Sequence, residues 1–184
     1  MEVSEVDTLI CGGGMSGMAC AAFTAEAGAK TRVFEKQEEV GGSSNLSAGM
    51  FWAPNTYEKL RSWVPHGDPD LQRAWLDEYL PAVQWMRESG NPTANRFDGI
   101  MTIVSLLRTV EFQLMRKDNT VIPGLLMAGV DAGGFIKLGY AGGLGLALVT
   151  GLWAAREVTR ELGLPEPRLP AADARDAAPI HGRL

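Results

Sequence analysis

Val6-Asp7-Thr8-Leu9-Ile10-Cys11-Gly12-Gly13-Gly14-Met15-Ser16-Gly17 is the stretch on which the reading of this chain turns. Residues 6–11 form a short apolar run of the kind a buried parallel strand requires. The glycines make a turn, residues 15–27 read as an alanine-rich helix, and Gly28 ends it. Residues 31–34 repeat the strand pattern, and Glu35 closes a β-α-β unit of ordinary length. Gly12, Gly14 and Gly17 fit G-x-G-x-x-G, with a mechanical task for each. Gly12 permits the tight turn, Gly14 lets backbone approach a pyrophosphate, and Gly17 lets the helix pack closely on the sheet. The helix start then offers free N–H groups and partial positive charge to phosphates, with Met15 and Ser16 on its first turn. Glu35, at the end of the second strand, is placed to accept hydrogen bonds from ribose hydroxyls and would repel a 2′-phosphate. The pattern predicts a dinucleotide site and argues against NADP.

Bulk properties narrow the remaining classes. With 184 residues, 46% hydrophobic and 21% charged, the chain suits one globular domain. A net charge of −5 leaves no basic footprint for nucleic acid or an anionic membrane. The two cysteines, Cys11 and Cys20, read as small buried hydrophobes rather than a disulfide or redox pair. The acidic N-terminus lacks the features of a secretory signal, so a cytoplasmic protein is expected. Residues 138–155 carry no charge and meet the length of a membrane span, but their glycines and charged flank favour a buried helix. His66 and His181 read as solvated loop residues, and no metal site is expected.

Further along, residues 41–49 form a Gly/Ser loop. Residues 70–88 are amphipathic, with Leu71, Trp75, Tyr79, Val83 and Met86 on one face and Pro81 expected to kink the helix. Asn91-Pro92-Thr93-Ala94-Asn95 is the clearest break. Residues 121–128 read as a strand and 142–162 as a helix. The expected organisation is a single domain over residues 1–164, with an N-terminal part (1–90), a short bridge (91–116) and a C-terminal part (117–164). Residues 165–184, rich in Pro, Ala, Asp and Arg, are expected to form a flexible or loosely docked tail.

Three blocks carry a resemblance to a known family. They are residues 6–17 with Phe34-Glu35-Lys36; Val40-Gly41-Gly42-Ser43-Ser44-Asn45-Leu46-Ser47-Ala48-Gly49; and Ile122-Pro123-Gly124-Leu125-Leu126-Met127-Ala128-Gly129 with Gly139-Tyr140-Ala141-Gly142-Gly143-Leu144-Gly145-Leu146. Over residues 6–90 and 117–162 the chain resembles the flavoproteins of the fumarate reductase, succinate dehydrogenase and 3-ketosteroid dehydrogenase type. The resemblance implies an α/β, Rossmann-like FAD-binding domain of the glutathione-reductase kind, a parallel sheet with helices. It also implies FAD contacts from Gly41, Gly42, Ser43, Ser44, Asn45, Ala48 and Gly49 of the second block. From the third it implies contacts by Gly142, Gly143, Leu144, Gly145 and Leu146 at a helix start facing the flavin pyrimidine edge. Val130 stands where relatives often carry an acid, so Asp131, one residue later, is the candidate ribityl contact. The second block offers Ser44 and Asn45 where covalent members carry histidine, which implies noncovalent FAD.

The chain passes from Gly90 to Lys117 where family members insert a substrate-binding cap, so the resemblance implies a shortened form without that cap. No family motif for the catalytic acid is present, and Tyr140 is the remaining candidate donor. An oxidoreductase acting on C–C bonds beside a carbonyl of a small hydrophobic molecule is the leading expectation. A flavin-containing isomerase or cyclase without net redox, or a non-catalytic FAD-binding module, are the alternatives. An open flavin further suggests a homodimer in which one protomer covers the other's cofactor.

Overall fold

The computed structural model describes residues 5–47, 51, 54, 56–88, 109–110, 113–115, 120–136 and 143–171. Its elements are strand β1 (Thr8–Cys11), helix α1 (Met15–Glu26), strand β2 (Thr31–Phe34), a 3-10 turn at Gly42–Ser44, and helices α2 (Tyr57–Trp63) and α3 (Pro69–Glu88). Strands β3 (Thr109–Val110), β4 (Gln113–Met115) and β5 (Val121–Leu126), a second 3-10 turn at Gly129–Asp131, and helix α4 (Gly143–Leu162) follow.

The β-α-β unit forms as read. β1 and β2 pair in parallel, Thr8 opposite Thr31 and Cys11 opposite Phe34, with α1 as the crossover. Gly28, at φ +98°, ends that crossover in a conformation other residues resist. The α/β class therefore stands. Among the described residues, however, the parallel sheet has two strands. β5 belongs to a separate antiparallel sheet of order β3-β4-β5. Strands β3 and β4, in the stretch assigned to the bridge by sequence, are thus tied by hydrogen bonds to the part that follows it.

Helix packing makes the core. α1 lies against α4, and α3 against α4, around Phe23, Leu60, Trp75, Leu148, Leu152 and Trp153. The α1–α4 approach depends on absent side chains: a Cβ on Gly151 would lie 2.5 Å from the Ser16 carbonyl oxygen and 2.9 Å from the Ala19 Cβ. α3 begins one residue earlier than its apolar pattern, at Pro69, because Asp68 caps it. The Asp68 carboxylate accepts the amides of Asp70 and Leu71, each at 3.0 Å. The helix continues through Pro81, although that residue offers no amide to the carbonyl one turn back. Of its predicted face, Trp75, Tyr79 and Met86 are buried and Leu71 and Val83 partly so.

The expectation that both cysteines are buried needs correction. Cys11 is exposed while Cys20 is buried, and both are free thiols. Strand alternation turns Leu9 and Cys11 to one face of the two-stranded sheet, and α1 covers the other, so Leu9 remains 56% and Phe34 55% exposed. The start of the expected tail is docked: Pro167 is buried, Leu169 packs on the core, and Glu166 pairs with Arg156 Nε at 3.1 Å. Residues 172–184 lie outside the described residues. The glycine-rich segment read as a buried helix rather than a span is α4 from Gly143 onward, with residues 148–155 all buried. Among the described residues no helix is long and apolar enough to cross a membrane.

Candidate functional site

Of the predicted site residues, Gly12, Gly14, Met15, Gly17, Glu35, Gly41 and Ser44 meet where β1 runs into α1. The Gly12 amide extends the ladder by donating to the Phe34 carbonyl at 2.7 Å, and Gly12 itself turns at φ +109°. Gly17 follows from sterics: a Cβ there would collide with the Gly12 carbonyl oxygen. Gly14 is the residue preceding α1, in extended conformation, with its carbonyl accepting the Met18 amide at 2.9 Å. Only ordinary contacts, to Gly41 O and Ser44 Oγ, border the position of its missing Cβ.

Three hydrogen bonds fasten the neighbouring loops to this turn. The Gly13 amide donates to Glu35 Oε2 at 2.7 Å. The Gly13 carbonyl accepts the Gly41 amide at 2.7 Å, and the Met15 amide donates to Ser44 Oγ at 3.1 Å. Gly13, which the sequence reading quoted without assigning a role, is therefore the hub. A Cβ there would be tight, 3.0 Å from Val40 Cγ1 and 3.3 Å from Glu35 Oε2. The second block is shaped from within: Gly41 turns at φ +118°, and Asn45 Nδ2 donates to the Val40 carbonyl at 2.8 Å. Asn45 thus braces the loop, while Ser43 is exposed and Lys36 lies exposed just past Glu35.

The Glu35 carboxyl is held below its ordinary pKa, first by the Gly13 amide and then by that of Gln37, which donates to Oε1 at 3.0 Å. Amides donating to the ionised form favour it. The first turn of α1 carries no acidic residue, and among the described residues no side chain caps the amides of Ser16 or Gly17. The helix start thus keeps its partial positive charge beside an anionic carboxylate on the β2 side. This arrangement suits phosphate at the helix and hydroxyls at the acid.

The third block arrives by contacts that sequence spacing did not reveal. Gly129, at φ +72°, abuts Ser16, where a Cβ would lie 2.5 Å from Ser16 Oγ. Its amide donates to the buried Thr150 Oγ1 of α4 at 2.8 Å. Asp131 ends the same 3-10 turn and is exposed, as is Val130. At the start of α4, Gly143 is exposed and Leu144 and Leu146 are partly buried. Gly145 is buried against the Tyr79 ring, which occupies the place a Cβ would need. Gly143 lies about 12 Å along the helix axis from Gly151, the residue that meets Ser16. Ala48, Gly49, Tyr140 and Gly142 lie outside the described residues, as do Met50 and Trp52 beside the second block.

A positively poised helix start, glycines open to a backbone-hugging ligand and an acid at the end of β2 suit a dinucleotide. The family model for the FAD binding domain, FAD_binding_2, matches residues 7–106, a little over half the chain. The chain belongs to the FAD_binding_2 family. Its cofactor is FAD, and curated relatives it matches are named as dehydrogenases and reductases. A 3-oxosteroid 1-dehydrogenase of Mycobacterium tuberculosis (strain H37Rv) is 37% identical over 76 residues, which are 41% of this chain and 13% of that protein. A vinyl phenol reductase of Lactiplantibacillus plantarum is 29% identical over 99 residues, 46% of this chain and 20% of that protein. Among solved structures, a 3-ketosteroid-Δ4-(5α)-dehydrogenase of Rhodococcus jostii RHA1, in complex with 4-androstene-3,17-dione, aligns with TM-score 0.48 at 16% identity. That alignment covers 86% of this chain and 37% of that one. The chain thus spans a minor part of the relatives it matches.

Proposed function

We propose that this chain holds FAD for an oxidoreductase that adds or removes hydrogen across a C–C bond beside a carbonyl of a small hydrophobic molecule. The observation that carries the cofactor half is the fastening of Gly13, Glu35, Gly41 and Ser44 around a helix start whose Ser16 and Gly17 amides no side chain caps among the described residues. Two relatives, named a dehydrogenase of a 3-oxosteroid and a reductase of a vinyl phenol, support hydrogen transfer at a C–C bond, and the first of them supports the neighbouring carbonyl. When bound, FAD supplies the hydride acceptor or donor. The chain's own residues bind and orient. The α1 start holds the pyrophosphate, Glu35 takes ribose hydroxyls, and the start of α4 with Asp131 borders the flavin end. The flavin is held noncovalently, with Ser44 and Asn45 in the second block. Tyr140 is the candidate proton donor, and a second copy of the chain is the candidate cover for the open site.

The test uses FAD-loaded protein under anaerobic conditions. A saturated cyclic ketone is expected to bleach the flavin absorption, or an α,β-unsaturated ketone to restore it after dithionite reduction. Tyr140→Phe should slow whichever direction is active. If dithionite bleaches the flavin but neither ketone exchanges hydrogen with it, the reaction half fails while the FAD site stands. A product of unchanged mass would instead identify an isomerase or cyclase.

A further inference from the structure

The corner between α2 and α3 lies outside the dinucleotide motif, yet it grips the segment leading from the Gly129–Asp131 turn towards α4. Gln72 is 1% exposed, and its amide is engaged on both sides. Nε2 donates to the Val64 carbonyl at 3.0 Å and to the Phe135 carbonyl at 2.6 Å, while Oε1 accepts from Arg61 Nη1 at 3.0 Å. The same guanidinium nitrogen donates to the Gly67 carbonyl at 2.7 Å. One helical turn earlier, the Asp68 amide donates to the Gly134 carbonyl at 2.7 Å. Phe135 is itself buried, and its ring stacks on Trp153 of α4 with centroids 5.7 Å apart. At the other end of this segment, Gly129 is fixed to Thr150 and pressed on Ser16. Residues 129–136 are thus clamped at both ends.

A methionine or leucine would fill the place of Gln72 without the desolvation cost of a buried amide. What the amide adds is direction. It sets the position of one backbone carbonyl to within hydrogen-bond tolerance, and Arg61 fixes which way the amide faces. We infer that Gln72, oriented by Arg61, is a positioning residue for bound FAD. By fixing residues 134–135 it holds the Gly129–Asp131 turn and the approach to α4 in one geometry around the cofactor. The inference rests on the reading above that this turn and the start of α4 border the flavin.

The test compares FAD-loaded full-length variants. Gln72→Met removes all three amide bonds at similar side-chain length, and Arg61→Met removes the donor to Oε1 together with the bond to the Gly67 carbonyl while leaving both Nε2 bonds of Gln72. Thr24→Val serves as the control: Thr24 is buried near the C-terminal end of α1, where Oγ1 bonds Cys20 O at 2.8 Å. The readouts are the Kd for FAD and the visible circular dichroism of the flavin at saturating FAD, beside the thermal midpoint. Gln72→Met should weaken FAD about threefold to tenfold, the worth of one net hydrogen bond, and alter the visible dichroism. Arg61→Met should shift both in the same direction but less. Thr24→Val should lower the midpoint and move neither. If both test variants lose thermal stability but keep the wild-type Kd and dichroism, the positioning role is overturned while the FAD site stands. If Gln72→Met does not fold, Arg61→Met decides by the same criterion. Wild-type protein unable to hold FAD would overturn both.

Discussion

Replacing Gly151 by alanine separates two opposed effects whose balance the structure decides. In an exposed helix the change would stabilise by about 1 kcal/mol, because alanine loses less backbone freedom than glycine. In this fold the new methyl would sit 2.5 Å from the Ser16 carbonyl oxygen, 2.9 Å from the Ala19 Cβ and 3.2 Å from the Cys20 amide nitrogen. Two of those three atoms are backbone of α1 and cannot rotate away, so the helices must separate by most of an ångström. Overpacking of this kind costs about 1–3 kcal/mol in a close-packed core, and here the displacement is shared along the whole α1–α4 contact. Placing the steric cost at the upper end of that range and subtracting the propensity gain leaves about 2 kcal/mol of destabilisation. For a chain of this size that lowers the thermal midpoint by roughly 4–8 °C. FAD should also bind more weakly, because Ser16 lies on the first turn of α1. Urea unfolding and differential scanning calorimetry on the apo protein read the first effect, and flavin fluorescence the second. An alanine variant as stable as the parent, or more so, would refute the close α1–α4 approach.

Thr150→Val removes the acceptor of the buried Gly129 amide without changing shape. It should cost about 1–3 kcal/mol in urea unfolding, with Thr150→Ser recovering most of it; a neutral valine variant would contradict that bond. Glu35 is held ionised below the ordinary carboxylate range by the Gly13 and Gln37 amides. Its contribution to the loop is therefore complete above about pH 4.3 and is lost as pH falls through its lower folded value. FAD affinity in the wild type should stay level down to about pH 4.3 and fall only below it, whereas Glu35→Gln should bind more weakly at neutral pH and lose that acid limb. Burial pushes the Cys20 thiol up to about 12 while Cys11 is exposed. A colorimetric thiol reagent at pH 8 should modify one cysteine in the folded protein and both in denaturant, and two fast native thiols would contradict the packing of α1.

The parts of this molecule legible in sequence are those whose physics is local. The β1-α1-β2 unit, its glycine turn and Glu35 follow from apolar periodicity and from glycine sterics within thirty or so residues, and they form with nearly the predicted bounds. α4 was legible from its long apolar run. α2 was overlooked although Thr56 caps it, its Oγ1 accepting the Lys59 amide at 3.2 Å; Thr-x-x-Lys with a short apolar face is a weak signal over seven residues. Contacts distant in sequence stayed hidden. Nothing local says that Gly129 rests on Ser16, that Gly41 donates to Gly13, or that β5 pairs antiparallel with β4. The exposure of Cys11 was equally hidden, because an apolar strand reads as buried on both faces and only the observed layers show that one face of β1 is uncovered.

The α1 start and Glu35 form a cradle that should recognise FAD by its adenosine diphosphate end. Equilibrium titration of flavin-stripped protein with FAD, alongside FMN, tests this most directly. The account predicts stoichiometric FAD binding with a change in flavin fluorescence and far weaker binding of FMN, which lacks the half held by the α1 start and Glu35. Protein that binds no FAD, or binds FMN equally well, would contradict it.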